Sequence, residues 1–148
     1  DGYSTKVNWH IAGEGGDRNR IEDLATKWSN VTYHGHVENN YVGSLLSKID
    51  LFISTSQWEA SPYNIIEAQS TGKPVFAYNI AGPMDIIEVG KTGKLVNDIH
   101  EFIEAIKDFV NDGNKYDETM IRDMIRKKTN PNKIYRKLIT VFSGCKNN

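Results

Sequence analysis

Along the chain, apolar positions switch between short β-rich runs and stripes at helical spacing. "VNWHIA" (7–12) reads as a strand, and "RNRIEDLATKW" (18–28), with Ile21, Leu24, Ala25 and Trp28 on one face, as a helix. "VTYHG" (31–35) is the next strand and "NYVGSLLSKI" (40–49) the next helix. "LFIS" (51–54) is a short apolar strand, followed by a helix from Pro62 to Thr71 that Gly72 closes and Pro74 stops. "PVFAY" reads as a strand, "PMDIIEVG" as a short helix and "GKLV" as a last strand. Near-continuous apolar strands alternating with helices predict a doubly wound α/β domain, its parallel sheet covered on both faces.

Beyond residue 97 the pattern is helical only. Asp98 followed by Glu101 makes a capping-box-like start to "HEFIEAIKDFV", whose Phe102, Ile106, Phe109 and Val110 form the buried stripe. Two more helices are predicted over 115–128 and 131–142, with Pro131 at a helix start. One domain over 1–148 is expected, an α/β core over 7–97 followed by C-terminal helices over 98–148. There is no internal repeat and no low-complexity segment.

At 148 residues, 39% of them hydrophobic, the chain has room for one core and not for a second full domain. It opens on Asp1 and runs almost at once into apolar alternation, so a missing N-terminal part is expected. No apolar run approaches the ~18 residues of a membrane span. The single cysteine, Cys145, cannot form an internal disulfide and suits a reducing, cytoplasmic setting. Four scattered His and one Cys give no metal-ligand cluster.

The net charge of −1 is unevenly spread: residues 113–148 carry nine Lys or Arg against three Asp or Glu. Arg126, Lys127, Lys128, Lys133, Arg136 and Lys137 could meet an anionic membrane surface, which implies a peripheral placement at its inner face. A solvated helix face fits the same residues, because "MIRDMIRKK" and "IYRKLITVF" also carry apolar packing stripes. No nucleic-acid partner is expected.

In an open parallel sheet, ligands bind beyond the carboxyl ends of the strands, where the following helices point their N-termini. The loops there read "GEGGD", "GHV", "STSQWEAS" and "NIAGP". A dinucleotide fingerprint starting at Gly13 fails at its third glycine, where Arg18 stands. "GKTG" (90–93) fails as a phosphate loop because Asp85 replaces the first glycine and a strand follows. A receiver-type phosphoacceptor would need an acid at a strand exit, whereas Asp50 precedes "LFIS" and Ser54 follows it.

The stretch "QWEASPYNIIEAQSTGKPV" (57–75) passes these tests. Ser61 suits an N-cap and Pro62 the first helical position, so the amides of Tyr63 and Asn64 would face the crevice and suit a diphosphate. Glu67, roughly 7–8 Å further along the axis, could accept hydrogen bonds from paired ribose hydroxyls. Glu59, on the loop, could take hydroxyls of whatever the diphosphate carries. Two acids beside an anion site need donor hydroxyls as partners, and a sugar nucleotide supplies them at both ends. A solvent-facing Glu59 and an ordinary helix-surface Glu67 fit the local physics equally well.

The paired Glu59 and Glu67, separated by seven residues, then "GKPV" and "AGPMDIIEVGKTGKLV", resemble the C-terminal domain of retaining glycosyltransferases of the GT-B fold, glycosyltransferase family 4. The resemblance covers residues 7–110. It implies a Rossmann-like, nucleotide-sugar-binding domain that works with an N-terminal acceptor domain, retains the donor's anomeric configuration and needs no metal or cofactor. Residue by residue, it implies that Glu67 holds the donor ribose and Glu59 contacts donor-sugar hydroxyls near the reacting carbon. Tyr63 and Asn64, with Ser61 beside them, would meet diphosphate or sugar oxygens. Gly35, His36 and Val37 would line the nucleobase, and Gly13 and Gly15 would keep a strand exit open beside the donor.

Ala60 and Pro62 stand where the family often has glycine, a tolerated Ser-Pro variant that could alter donor-sugar preference. The resemblance implies that the family's diphosphate-neutralising Arg and Lys lie on a segment before residue 7, and that segment, with the domain's first strand and helix, is expected to fall outside this chain. Arg18 and Arg20 are read as helix-surface residues rather than substitutes, and this piece alone is expected to be inactive. The implied function is transfer of a hexose-type sugar from a UDP- or GDP-linked donor to a glycan or lipid-linked acceptor in polysaccharide biosynthesis. A non-catalytic nucleotide- or sugar-binding module is the alternative, as is a GT-B epimerase or phosphorylase fragment.

Overall fold

A computed structural model of the chain describes residues 7–59 and 62–132. The elements follow the predicted order: β1 (Trp9–Ala12), α1 (Arg18–Lys27), β2 (Val31–Gly35), α2 (Asn39–Leu46), β3 (Phe52–Ser54) and α3 (Tyr63–Ser70). Then come β4 (Val75–Tyr78), α4 (Pro83–Ile86), β5 (Gly93–Val96), α5 (Ile99–Asp112) and α6 (Glu118–Lys128). Of the helix expected over 131–142, residues from 133 onward lie outside the described residues.

All described strand pairs are parallel, in two ladders, β1–β2 and β3–β4–β5. The second ladder shows what the apolar run "PVFAY" dictates. Val75, Phe76 and Ala77 are 0–3% exposed, because a central parallel strand is covered on both faces. Side chains alternate across it. Val75 and Ala77 join Leu46, Ile65, Ala68 and Ile87 in one core cluster, while Phe76 joins Val96, Phe102 and Ala105 in the other. The doubly wound architecture is thus built in this half, with α2, α3 and α4 contributing to one face and α5 to the opposite one. Phe76 meets Phe109 edge-on at 5.8 Å, and Tyr78 meets Phe102 at 5.3 Å.

The β1–β2 half differs from the expected continuous apolar burial. β2 alternates half-buried and exposed positions, β1 is exposed except for half-buried Ile11, and α1 buries no residue, leaving Leu24 41% and, just past its end, Trp28 44% exposed. Among the described residues this ladder has only two strands, so the stripe on α1 finds too little surface to cover it.

Two helix ends are tied down, one locally and one over a long range. The Asp98 carboxylate accepts from the Glu101 amide at 2.9 Å, as a capping box requires, but Glu101 reaches back to Asn97 rather than to Asp98. At the end of α3, Gly72 adopts φ 88°, and a Cβ there would run into Arg122 of α6. The next residue, Lys73, is nearly buried and donates to Glu118 at 2.8 Å, while Arg122 donates to the Thr71 carbonyl at 3.1 Å. This clasp seats α6 against α3.

The hydrogen bond from Lys73 holds the Glu118 carboxyl below its ordinary value of 4.5, with Arg122 adding to the effect. Since the folded value is the lower one, the pair's contribution is complete above pH 4.5 and disappears as pH falls through the folded value. Glu118→Gln should cost about 1–2 kcal/mol near neutral pH, discounted for the exposed side of Glu118. In denaturant titrations, the stability of wild type and variant should converge below pH 4.5.

Candidate functional site

The loops at the carboxyl ends of the parallel strands form two groups, one per ladder. At the first, the Gly13 amide donates to the Gly35 carbonyl at 2.7 Å, and the Tyr33 hydroxyl donates to the Gly13 carbonyl at 2.9 Å. These bonds bring the exits of β1 and β2 together. Around Gly13, Gly15 and Gly35 the space is open, His36 is exposed, and Val37 is half-buried. Arg18 is engaged by Glu22 at 2.8 Å and Glu14 at 3.5 Å, and Glu22 raises its pKa. Its guanidinium serves the helix surface, in agreement with the sequence reading.

His10 and His34 stack on the same ladder, ring centroids 5.2 Å apart, and share a 2.9 Å contact between Nδ1 and Nε2. His34 directly precedes Gly35 and was not singled out from the sequence. A lone histidine in each of two strands gives no sign of the partner until the register sets His10 opposite Thr32, one diagonal step from His34.

The second group lies at the end of β3. Ser54, its last residue, is buried, and the chain passes through Trp58 and half-buried Glu59 before α3 begins. Here the expectation for the helix start is corrected. Pro62, not Ser61, occupies the N-cap position with φ −78° and ψ 76°, and Tyr63 is the first helical residue. The non-helical ψ keeps Pro62 outside the helix, and its carbonyl accepts from the amides of Ile65 at 3.1 Å and Ile66 at 3.2 Å. Ser61 itself lies outside the described residues.

With that shift, Tyr63 and Asn64 are the first two helical residues. The Asn64 side chain accepts from the Ile65 amide at 2.8 Å, and among the described residues no group accepts from the amides of Tyr63 and Asn64. Two donors at a helix N-terminus therefore point toward the strand ends, a ready anion site. Glu67 sits exposed one turn further on, where its side chain leans back toward the same end. The structure thus groups Glu59, Tyr63, Asn64 and Glu67 around the start of α3, and places Gly13, Gly15, Gly35, His36 and Val37 at the exits of the other ladder.

A third segment completes the second group. The loop from β4 to α4 carries Gly82, which packs against the Glu59 carbonyl and the Pro62 ring. Sequence reasoning marked this loop only as one to inspect. A glycine directly before a helix-starting proline was the available signal.

The family model for glycosyl transferases group 1 matches residues 4–127. The chain belongs to that family. A poly(ribitol-phosphate) α-N-acetylglucosaminyltransferase of Staphylococcus aureus is 30% identical over 146 residues, covering 93% of this chain and 29% of the relative. A UDP-Gal:α-D-GlcNAc-diphosphoundecaprenol α-1,3-galactosyltransferase of Escherichia coli is 39% identical over 69 residues, 45% of this chain and 18% of the relative. Among solved structures, a mutant of S. aureus TarM in complex with fondaparinux, α-GlcNAc-glycerol and UDP superposes with a TM-score of 0.74. Its identity is 28%, covering 92% of this chain and 29% of that one. The lipopolysaccharide outer core galactosyltransferase WaaB shares the fold at 22% identity, with a TM-score of 0.78 over 91% of this chain and 40% of its own.

The chain is therefore a group 1 glycosyltransferase domain with a Rossmann-like GT-B architecture, and it spans under a third of the length of these curated relatives. No described helix is long and apolar enough to cross a membrane. Arg126, Lys127 and Lys128 form the last turn of α6, and Lys128 donates to the Ile86 carbonyl at 3.4 Å.

In this glycosyltransferase domain the histidine pair gives the first loop group a pH dependence. Partial loss of hydration lowers the His34 pKa from its ordinary 6.5, and the charges of His10 and Lys48 lower it further. The unfolded chain thus takes up this proton first. The associated stability is present above pH 6.5 and is lost as pH falls through the folded value. Ring-carbon NMR titration should place the His34 midpoint below 6.5, and Lys48→Ala should raise it.

Proposed function

We propose that the chain is the donor-binding part of a retaining glycosyltransferase that transfers a hexose-type sugar from a UDP-linked donor to a glycan or lipid-linked acceptor. The observation that carries this reading is the start of α3: two helix amides without described acceptors at the carboxyl ends of parallel strands, with Glu59 just before them and Glu67 one turn inside. Amides there suit a diphosphate, and acids on either side suit the hydroxyls at its two ends. The UDP-Gal donor of the E. coli relative and the UDP bound to S. aureus TarM support a UDP-sugar donor, and the poly(ribitol-phosphate) and diphosphoundecaprenol acceptors of the relatives support a role in bacterial surface polysaccharide assembly.

In this reading Glu67 accepts hydrogen bonds from the ribose, while Glu59 accepts them from donor-sugar hydroxyls and orients the reacting carbon. The Tyr63 and Asn64 amides hold the diphosphate, and their fixed dipoles stabilise the negative charge that builds on it as the glycosidic bond breaks. Gly35 to Val37 line the base, and Gly13 and Gly15 leave room beside the donor. The acceptor and the cations that neutralise the diphosphate are assigned to the part of the protein outside this chain. Binding by the chain alone is correspondingly weak, and turnover requires the longer protein.

Amide NMR titrations with UDP, UDP-GlcNAc, UDP-Gal and GDP-mannose test this reading. Saturable shifts should appear at 35–37 and 63–67 for the UDP compounds. Glu67→Ala should weaken them about tenfold, as expected for loss of a charge-assisted hydrogen-bond pair. Affinity indifferent to the sugar would instead favour a nucleotide-binding module. Silence from every compound, on this chain and on an N-terminally extended one, would overturn the donor-site assignment.

A further inference from the structure

We infer that Gly82 is a positioning residue for Glu59, a role that rests on the proposed function of Glu59 at the donor sugar. Gly82 is buried, with φ 90° and ψ −74°, at the N-cap of α4. A Cβ at this position would run into the Glu59 carbonyl oxygen, and would lie 3.3 Å from the Glu59 carbonyl carbon and 3.2 Å from Pro62 Cδ. The β4–α4 loop therefore meets the Glu59 backbone and the Pro62 ring directly, with no room for a side chain between them.

The support cannot easily retreat. Asn79 donates through its amide to the Val96 carbonyl at 2.7 Å and through its side chain to Asn97 at 3.0 Å. Ile80 donates to the Tyr78 carbonyl at 2.9 Å, and Met84 and Asp85 each donate back into the loop at 3.1 Å. These bonds tie the Gly82 side to the β4–β5 ladder and to α4. The Glu59 side leads into Trp58, which is 84% exposed. A side chain at 82 is thus held against the Glu59 carbonyl, and a shift of that backbone would carry the Glu59 carboxylate with it. A displacement of about 1 Å in a positioning element is enough to cost a large factor in a reacting geometry.

The test uses the whole chain labelled with 5-fluorotryptophan, whose three tryptophans are Trp9, Trp28 and Trp58. Gly82→Ala should move the Trp58 fluorine resonance and leave those of Trp9 and Trp28 in place. It should keep UDP affinity within about twofold while reducing the additional affinity of UDP-GlcNAc over UDP about tenfold. Gly90→Ala is the control, because Gly90 has φ 79° but nothing within 4 Å of its Cβ direction, so it carries the backbone strain without the contact.

A Trp58 signal that stays put in Gly82→Ala, or moves equally in Gly90→Ala, overturns the inference whatever the donor is. So does an unchanged UDP-GlcNAc increment when Trp58 has moved. If Gly82→Ala shifts all three signals together, Gly82→Asn is read in its place, since Asn is commoner than Ala at positive φ, although ψ −74° lies outside the left-handed helical region it favours. Collapse of both variants would make Gly82 a residue of the fold and would also overturn the inference. A Trp58 shift in Gly82→Ala, with wild type and an N-terminally extended chain both blind to UDP and UDP-GlcNAc, would uphold the loop contact and overturn the donor reading.

Discussion

An eight-residue helix does not hold together in water on its own propensity, so α3 depends on being packed. Ile65, Ala68 and Gln69 are buried along it, and it contacts β3, β4, α2, α4 and α6. Complete burial of a side chain such as Ile65 contributes about 1.5–3 kcal/mol, more than any single hydrogen bond nearby. The one buried polar group on the helix is matched: Gln69 donates to the Thr92 hydroxyl at 3.0 Å, and that hydroxyl accepts from the Glu88 amide at 2.9 Å. The pair fixes the helix axially and ties it to the turn before β5. Where the amides of Tyr63 and Asn64 end up is a consequence of this packing.

The two ladders then play unequal parts. The β3–β4–β5 half has core on both faces and holds the start of α3, the Glu59 segment and the loop that supports it. The β1–β2 half presents the glycine loops from strands that stay half-exposed, with a histidine pair instead of apolar contacts on one face. In the proposed function the diphosphate end of the donor meets the rigid half and the base meets the softer one. Local opening is expected to start in the half with few buried apolar groups.

Much of this was legible in the chain because local signals agree with the global arrangement. The period changes place every described element within a few residues of its observed bounds, and the apolar run at Val75 marks the strand with core on both faces. Glu59, Tyr63, Asn64 and Glu67 gather at a helix start because that spacing follows from local geometry. What sequence could not supply depends on distant partners. Lys73 and Glu118 are 45 residues apart, and nothing near either one announces the other. Gly82 reads as an ordinary turn residue until the fold sets it against Glu59. The cap of α3 was misassigned by one position, because Ser61 and Pro62 are each good residues for their predicted places and only the ψ of Pro62 decides between them.

The chemistry around α3 also bears on selectivity in the proposed function. Helix amides alone offer a diphosphate partial charges, so the anion contributes a modest share of affinity within this chain. Carboxylates that require donors behave differently. A ligand lacking the matching hydroxyl leaves a carboxylate without that donor beside a neighbouring negative group, and such a mismatch discriminates far more strongly than loss of an apolar contact. Discrimination among donors would then rest on Glu59 and Glu67, whereas overall affinity would rest on cations elsewhere in the protein. Separating the two tasks in this way lets the geometry of a short, well-packed helix set specificity without tight binding of the released nucleotide.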